Sequence, residues 1–232
     1  MPDKVLLIRP QNVYNYNNYP PLNLICIGSK LKSAGHEVEI INCAFEKNPI
    51  ETINNKLKDV LFAGISLLTS ESPDTYRIIK HIKECSSVPT VVGGWHSTLF
   101  PEQMANCEYV DYVIAGEGED HIVKLAEMIK NGNKSSSKIF GKNVLNLDTL
   151  PLPDYHIDKN IERFISSYLT DKLSEYVRQP MRWLPYESSR GCPSHCTFCI
   201  NVVADNTRYR KKSAEKVVSE IEYLAKEYNL TH

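Results

Sequence analysis

The sequence predicts an α/β fold with a doubly wound parallel sheet, on three observations. Short apolar runs alternate with segments of helical periodicity up to about residue 130. The runs are continuous rather than alternating in polarity, as in strands buried on both faces. Glycines close two of them, at Gly93-Gly94 and Gly116, where a strand end must let the backbone turn or approach a ligand.

The elements follow in order. Val5-Leu6-Leu7-Ile8 is a strand ended by Pro10. Leu24, Ile27, Leu31 and Ala34 recur at helical spacing, and Gly35 is a natural stop. Val38 to Cys43 is the next strand, and Pro49 opens a helix with Ile50, Ile53 and Leu57 on one face. Val60 to Leu68 is a strand rich in apolar residues. Pro73-Asp74 opens a helix marked by Ile78, Ile79, Ile82 and Cys85. Pro89 to Val92 and Tyr112 to Ala115 are strands that run into the glycines. Ile122, Val123, Ala126 and Ile129 mark a helix that stops near Asn131-Gly132. In such sheets ligands bind beyond the carboxyl ends of the strands. A site is therefore expected among the loops Pro10 to Pro21, Ser66 to Ser72, Gly93 to Pro101 and Gly116 to Glu119.

From Asn131 to Tyr155 the chain turns polar, then stiff at Leu150-Pro151-Leu152-Pro153, and reads as a linker. The expected division is a first domain over 1–131, a linker over 132–182 with a short helix at Ile161 to Leu169, and a second unit over 183–232. That unit reads as a strand (Leu184 to Ser189), a cysteine loop beginning at Arg190-Gly191, and a helix. The helix has Val217, Val218, Ile221, Leu224, Ala225 and Tyr228 on one face, Ser213 as N-cap and Glu215 in its first turn.

The 27 basic and 28 acidic residues leave a formal net charge of -1, which exerts no global pull on nucleic acid or anionic lipid. The one basic run, Arg208 to Lys212, reads as a solvated loop or helix approach rather than a nucleic-acid patch. No window nears the ~20 apolar residues of a membrane span, and Met1-Pro2-Asp3-Lys4 lacks the pattern of a signal peptide. The expectation is a soluble, cytoplasmic protein with neither nucleic acid nor membrane as a partner. Of the seven cysteines, Cys26, Cys43, Cys85 and Cys107 stand singly among apolar residues, as buried free thiols do.

The other three, Cys192, Cys196 and Cys199, are spaced C-x3-C-x2-C, too tightly for a disulfide framework. Thiolates are soft ligands that hold iron–sulfur clusters. Three of them on a cube of four irons leave one iron open to a chelating small molecule. The alternative is a zinc knuckle with His195 or a distant residue as fourth ligand, although zinc sites usually come as paired C-x2-C units.

Glu187-Ser188-Ser189-Arg190-Gly191-Cys192-Pro193 through Cys199 resembles the signature of radical S-adenosylmethionine (SAM) enzymes. The resemblance implies a 4Fe-4S cluster on Cys192, Cys196 and Cys199. It also implies SAM chelating the open iron, with Phe198 against its adenine side. Upstream, Gly64 to Thr69, Gly93-Gly94-Trp95-His96-Ser97-Thr98-Leu99-Phe100-Pro101-Glu102 and Ala115-Gly116-Glu117-Gly118-Glu119 resemble three elements of the cobalamin (B12)-binding domain of B12-dependent members. The resemblance covers roughly residues 4–130. It implies a flavodoxin- or Rossmann-like domain holding cobalamin through Ser66, Leu68, Gly93, Gly94, Trp95, His96, Gly116 and Glu117. Residues 183–232 would then begin a partial TIM-type radical SAM barrel.

Read on their own, the alternative for His96 is a satisfied loop histidine, and for Glu117 and Glu119 caps of the following helix. His36, His81, His96 and His121 all stand outside the D-x-H-x-x-G frame that supplies an axial histidine in some cobalamin proteins. No histidine is therefore expected on cobalt.

The implied parent reaction is radical methyl transfer to an unactivated carbon or phosphorus, with SAM, the cluster and methylcobalamin. The implied partners are a small-molecule or peptide substrate and an electron donor such as flavodoxin or ferredoxin. No residue is assigned a catalytic role. A full barrel of this kind takes ~200 residues, and only one helix is legible after the cysteine loop. The expectation is a fragment of such an enzyme, or else a cobalamin- and cluster-binding module that acts with a partner chain. Family relatives that rearrange or cyclise their substrates keep that reading open too.

Overall fold

The computed structural model describes residues 3–14, 19–133, 135, 137–141, 146–167, 182–204 and 208–231. Six parallel strands form the central sheet: β1 (Lys4–Arg9), β2 (Glu37–Asn42), β3 (Val60–Ser66), β4 (Thr90–Gly93), β5 (Tyr112–Ile114) and β6 (Ile139–Phe140). Their order is β2-β1-β3-β4-β5-β6. The central strand β3 is buried at all seven positions, which its continuous apolar sequence anticipates. The polar stretch expected to be linker contributes β6, whose two residues add an edge beside β5 and are too short for a periodic signal.

Alternation along the strands sends side chains to two cores. On one side Leu6, Ile8, Ala63, Ile65 and Val92 meet α2 (Pro49–Lys56), α3 (Ser72–Cys85) and α5 (Pro101–Ala105) through Ile53, Ile78, Ile79, Ile82 and Met104. On the other side Val5, Leu7, Phe62 and Val91 meet α1 (Leu22–Ser33) and α6 (Glu119–Lys130). Between β4 and α5 lies α4 (Trp95–Leu99), so the segment expected as a loop is two short helices.

The second core also takes in Tyr155, Ile157 and, from α7 (Ile161–Ser167), Ile161, Phe164 and Ile165. It takes in Leu224 and Tyr228 of the C-terminal helix as well. The stretch after the prolines is thus laid onto the sheet rather than strung between bodies. Fully buried Tyr155 donates its hydroxyl to the Pro185 carbonyl and meets Tyr228 edge to face at 5.7 Å. The expected helix beyond Ser167, and the rest of 168–181, lies outside the described residues.

Toward the C-terminus, β7 (Ser189–Arg190) pairs antiparallel with β8 (Arg210–Lys211). The strand expected over Leu184 to Ser189 is thus confined to its last residue and Arg190. Pro185 lacks a ladder donor, and Leu184 and Tyr186 pack on the core instead. α8 (Ile200–Val203) follows the cysteine loop, and α9 (Ala214–Glu227) closes the order. Ser213 caps α9 by accepting the Lys216 N–H, as expected. Leu224 is buried, whereas Val218 and Ile221 are exposed. No helix among the described residues is long and apolar enough to cross a membrane.

Glu39 on the outer strand β2 is gripped by Lys4 at 2.8 Å, Lys159 at 2.7 Å and Lys56, which ties the segment before α7 to the sheet. Burial pushes its carboxyl up, but hydrogen bonds from Lys159, Lys4 and Lys56 prevail and hold it at about 2. The folded value lies below the ordinary 4.5, so the carboxylate stabilises the fold above that pH and the contribution fades as pH falls toward 2. Urea unfolding is therefore expected to show Glu39→Gln less stable than wild type at neutral pH, with the gap closing in acid. A gap that stays constant with pH counts against the trident.

Candidate functional site: a cleft shared with the cysteine loop

A cleft of about 670 Å³ opens at the carboxyl edge of the sheet, between α1 and α6. Its floor is made by cleft-side residues of four strands, Leu7, Gly64, Val91 and Ile114, and its wall by Leu24 and Ile27 of α1 and Ile122 of α6. Seven of the eight residues expected to contact cobalamin line it: Ser66, Leu68, Gly93, Gly94, Trp95, Gly116 and Glu117. The Ser66 hydroxyl accepts a hydrogen bond from Asn23 Nδ2 at 2.7 Å. Leu68 and Trp95, each 38% exposed, form an apolar lip.

Two glycine turns shape that lip. Gly94 has φ +101°, and a Cβ there would meet the Leu67 carbonyl oxygen at 2.9 Å. Gly116 has φ +80°. Both conformations suit glycine. Thr98 joins the turns: its hydroxyl donates to the Gly94 carbonyl at 2.9 Å and accepts the Gly116 N–H at 2.8 Å. Sequence reading gave Thr98 no part, since a threonine inside a short motif carries no sign of which turns it bridges.

His96 is not among the cleft's lining residues. It is buried, its Nδ1 pairs with Thr69 Oγ1 at 3.0 Å, and its ring packs on Phe100 at 5.1 Å. Burial holds the imidazole below its usual pKa, favouring the neutral ring. Its Nε2 is buried with no hydrogen-bond partner among the described residues. This arrangement matches a loop-supporting histidine.

The cysteine loop joins the same cleft. Glu187, Ser189, Arg190 and Gly191 line it beside Glu117 and Glu119. Arg190 reaches Glu119 at 2.5 Å, Glu187 at 2.9 Å and Glu117 at 3.5 Å. Arg210 donates from Nη1 to Glu117 Oε2 at 2.8 Å and makes a second contact through Nη2. The side chains of Glu117, Glu119, Arg190 and Arg210 are between 6% and 11% exposed. Burial disfavours the Arg190 charge, but Glu119 and Glu187 outweigh it and raise its pKa. The expectation of a solvated run at Arg208 to Lys212 is corrected here: Arg210 and Lys212 are buried, the first on Glu117 and the second on Glu220 at 2.7 Å. Charge counting cannot see partners 93 residues away.

Beyond Gly191 the loop is open. Cys192 and Cys199 are partly exposed, Cys196 is exposed, and Phe198 is 91% exposed. The Cys199 N–H donates to the Cys196 carbonyl at 3.0 Å. Among the described residues no three His, Cys, Asp or Glu side chains are gathered as a metal-holding group. The three thiols share one accessible loop without converging. Their donor chemistry suits iron, and the loop is anchored at its base rather than at its tip.

Residues 13–126 match the B12 binding domain family. An uncharacterised methyltransferase of Pyrococcus horikoshii is 28% identical over 91% of this chain and 47% of that protein. An anaerobic magnesium-protoporphyrin IX monomethyl ester cyclase of Synechocystis is 27% identical over 88% of this chain and 42% of that protein. The chain spans about half the length of the relatives it matches. Among solved structures, a radical SAM methyltransferase, TsrM, from Kitasatospora setae superposes with a TM-score of 0.67 at 21% identity, covering 98% of this chain and 46% of that one. This last likeness establishes the fold.

Removing one member of a buried ion pair costs about 3–5 kcal/mol, chiefly because the partner charge is stranded. Arg210→Met is expected to lower unfolding stability by about that amount, and adding Glu117→Gln to recover part of it. Denaturant melts of the single and double variants check this. A double variant no more stable than the single one would falsify the pairing.

Proposed function

Residues 13–126 match the B12-binding domain family, and from that premise we propose that this chain holds a corrinoid and a three-thiolate iron–sulfur cluster at one composite site of a radical SAM methyltransferase. The observation that carries the reading is a shared wall. Arg190 and Gly191, the two residues before Cys192, line the same cleft as Ser66, Gly93, Gly94 and Gly116.

The residues present fit both groups. The cleft combines an apolar floor, a hydroxyl at Ser66 and glycine turns through which a bulky flat molecule can meet backbone. Cys192, Cys196 and Cys199 would hold the cluster, and Phe198 would lie against the adenine of SAM. A corrinoid supplies an exchangeable cobalt–carbon bond, and a reduced cluster supplies the single electron that opens SAM.

The chain's own residues position and exclude. Ser66, with Asn23, offers a polar contact for the nucleotide arm. Leu68 and Trp95 keep water from one face of the cleft mouth. Glu117 and Glu119 fix the root of the cysteine loop through Arg210 and Arg190. Methyl transfer to an unactivated carbon or phosphorus is the proposed parent reaction, with flavodoxin or ferredoxin as electron donor. The cyclase among the relatives favours ring closure as a second reading. Residues 1–131 are proposed as the corrinoid unit, 132–182 as connection and 183–232 as the start of the radical SAM unit.

Wild-type protein incubated with hydroxocobalamin is expected to retain the corrinoid through gel filtration. Gly94 is a poor place to block it, because any side chain there strains φ +101°. Gly93 is better: a Cβ meets Ile114 at ordinary distances, its carbonyl oxygen at 3.6 Å and its Cβ at 3.9 Å, and the residue lines the cleft. Gly93→Phe should abolish retention while Gly93→Ala keeps it. Equal retention by both displaces the corrinoid from this cleft.

Anaerobic reconstitution is expected to give about four irons per chain, lost when Cys192, Cys196 and Cys199 are all replaced by Ala. Zinc in place of iron would end the radical SAM reading.

A further inference from the structure

Strand alternation puts Val5 and Leu7 of β1 on the cleft side of the sheet and Leu6 and Ile8 on the other. The next cleft-side position, the last of the strand, is not apolar but Arg9. Half-buried, it lines the cleft with Asn23, Ser66 and Glu71. It stands where the strand order reverses, since the chain leaves β1 for β2 on one side and β3 for β4 on the other. That is where open α/β sheets take their ligands.

Arg9 is short of partners. Its Nη1 donates to the Tyr19 carbonyl at 2.6 Å. A guanidinium has five N–H donors, so four have no hydrogen-bond acceptor among the described residues. The two carboxyls that act on it electrostatically are Glu71 and Asp158, 3% and 0% exposed, and neither forms an ion pair with it among the described residues. Both are engaged elsewhere: Glu71 accepts the Leu68 N–H at 2.9 Å and Asp158 the Asn160 N–H at 2.9 Å. Burial pushes both carboxyls up, toward the neutral form. What faces the cleft is a cation with spare donors beside a hydroxyl.

We propose that Arg9 is the anion subsite of this cleft and takes the phosphodiester of the corrinoid's nucleotide arm. The proposal rests on the corrinoid reading above. In a cobalamin the nucleotide arm carries a phosphodiester, whereas the side chains around the corrin ring are neutral amides. A guanidinium meets a phosphate with paired, charge-assisted hydrogen bonds. Ser66 and Asn23 stand beside it for the sugar or base that follows. The competing role for Arg9 is mechanical, a tether on the loop that carries Tyr19, and that role would not distinguish one corrinoid from another.

Equilibrium dialysis of the full chain against hydroxocobalamin, cobinamide phosphate and cobinamide separates the two roles. Wild type should prefer the two phosphate-bearing corrinoids. Arg9→Gln should weaken both by about tenfold to a hundredfold and leave cobinamide unchanged. Arg9→Lys, which keeps the charge, should retain the preference in smaller measure. Equal weakening of all three ligands by Arg9→Gln, or loss of the preference in Arg9→Lys, overturns the proposal. So does a wild type that binds all three alike. A wild type that binds no corrinoid defeats the corrinoid reading itself, and this subsite with it.

Discussion

The arrangement of the site depends on one buried set of charges. Glu117 and Glu119 leave the turn after β5 with their carboxylates against Arg210 and Arg190, and all four side chains are nearly sealed from water. Buried charge is costly unless paired. The cost of any other arrangement therefore fixes where the cysteine loop begins. Without these pairs, the two-residue ladder of β7 and β8 would be the main backbone pairing holding the loop root, and so short a ladder is marginal alone.

Hydrophobic packing supports the same placement from behind. Tyr155 sits under both the 184–186 segment and α9, and its hydroxyl is committed to Pro185. Lys32 and Ser29 of α1 hold Asp154 just before it, at 2.5 Å and 2.7 Å. The cleft thus has one wall from the sheet's own helices and one from the C-terminal segment. Both are packed against Leu7, Val5 and their neighbours. A cofactor bound there would touch both walls at once.

Much of this was legible in the sequence. The first five strands and the helices α1, α2, α3 and α6 announce themselves by apolar continuity and 3.6-residue recurrence, whereas α4 and α5 are too short to do so. The glycine-rich elements fall at the strand ends where the cleft opens. What escaped was of two kinds. Ile139–Phe140 and Ser189–Arg190 are two-residue strands, defined by their neighbours and not by any pattern of their own. Arg210 and Lys212 look like surface charges, and Glu117 and Glu119 like cofactor contacts or helix caps, until long-range partners desolvate them. His96, conspicuous in its motif, supports Thr69 and Phe100 beneath the lip, whereas the unremarked Thr98 ties the two glycine turns together.

The long reach of those ion pairs has a consequence for how the chain matures. The contact from Glu119 to Arg190 spans 71 residues and that from Glu117 to Arg210 spans 93. During synthesis the sheet through α6 can collapse well before either arginine has left the ribosome, since domains fold as they emerge. In that interval both carboxylates remain hydrated on an unfinished rim, and the cleft has only one of its walls. Closure waits for β7 and β8, so the ligand-binding shape forms after the sheet rather than being a property of the nascent sheet.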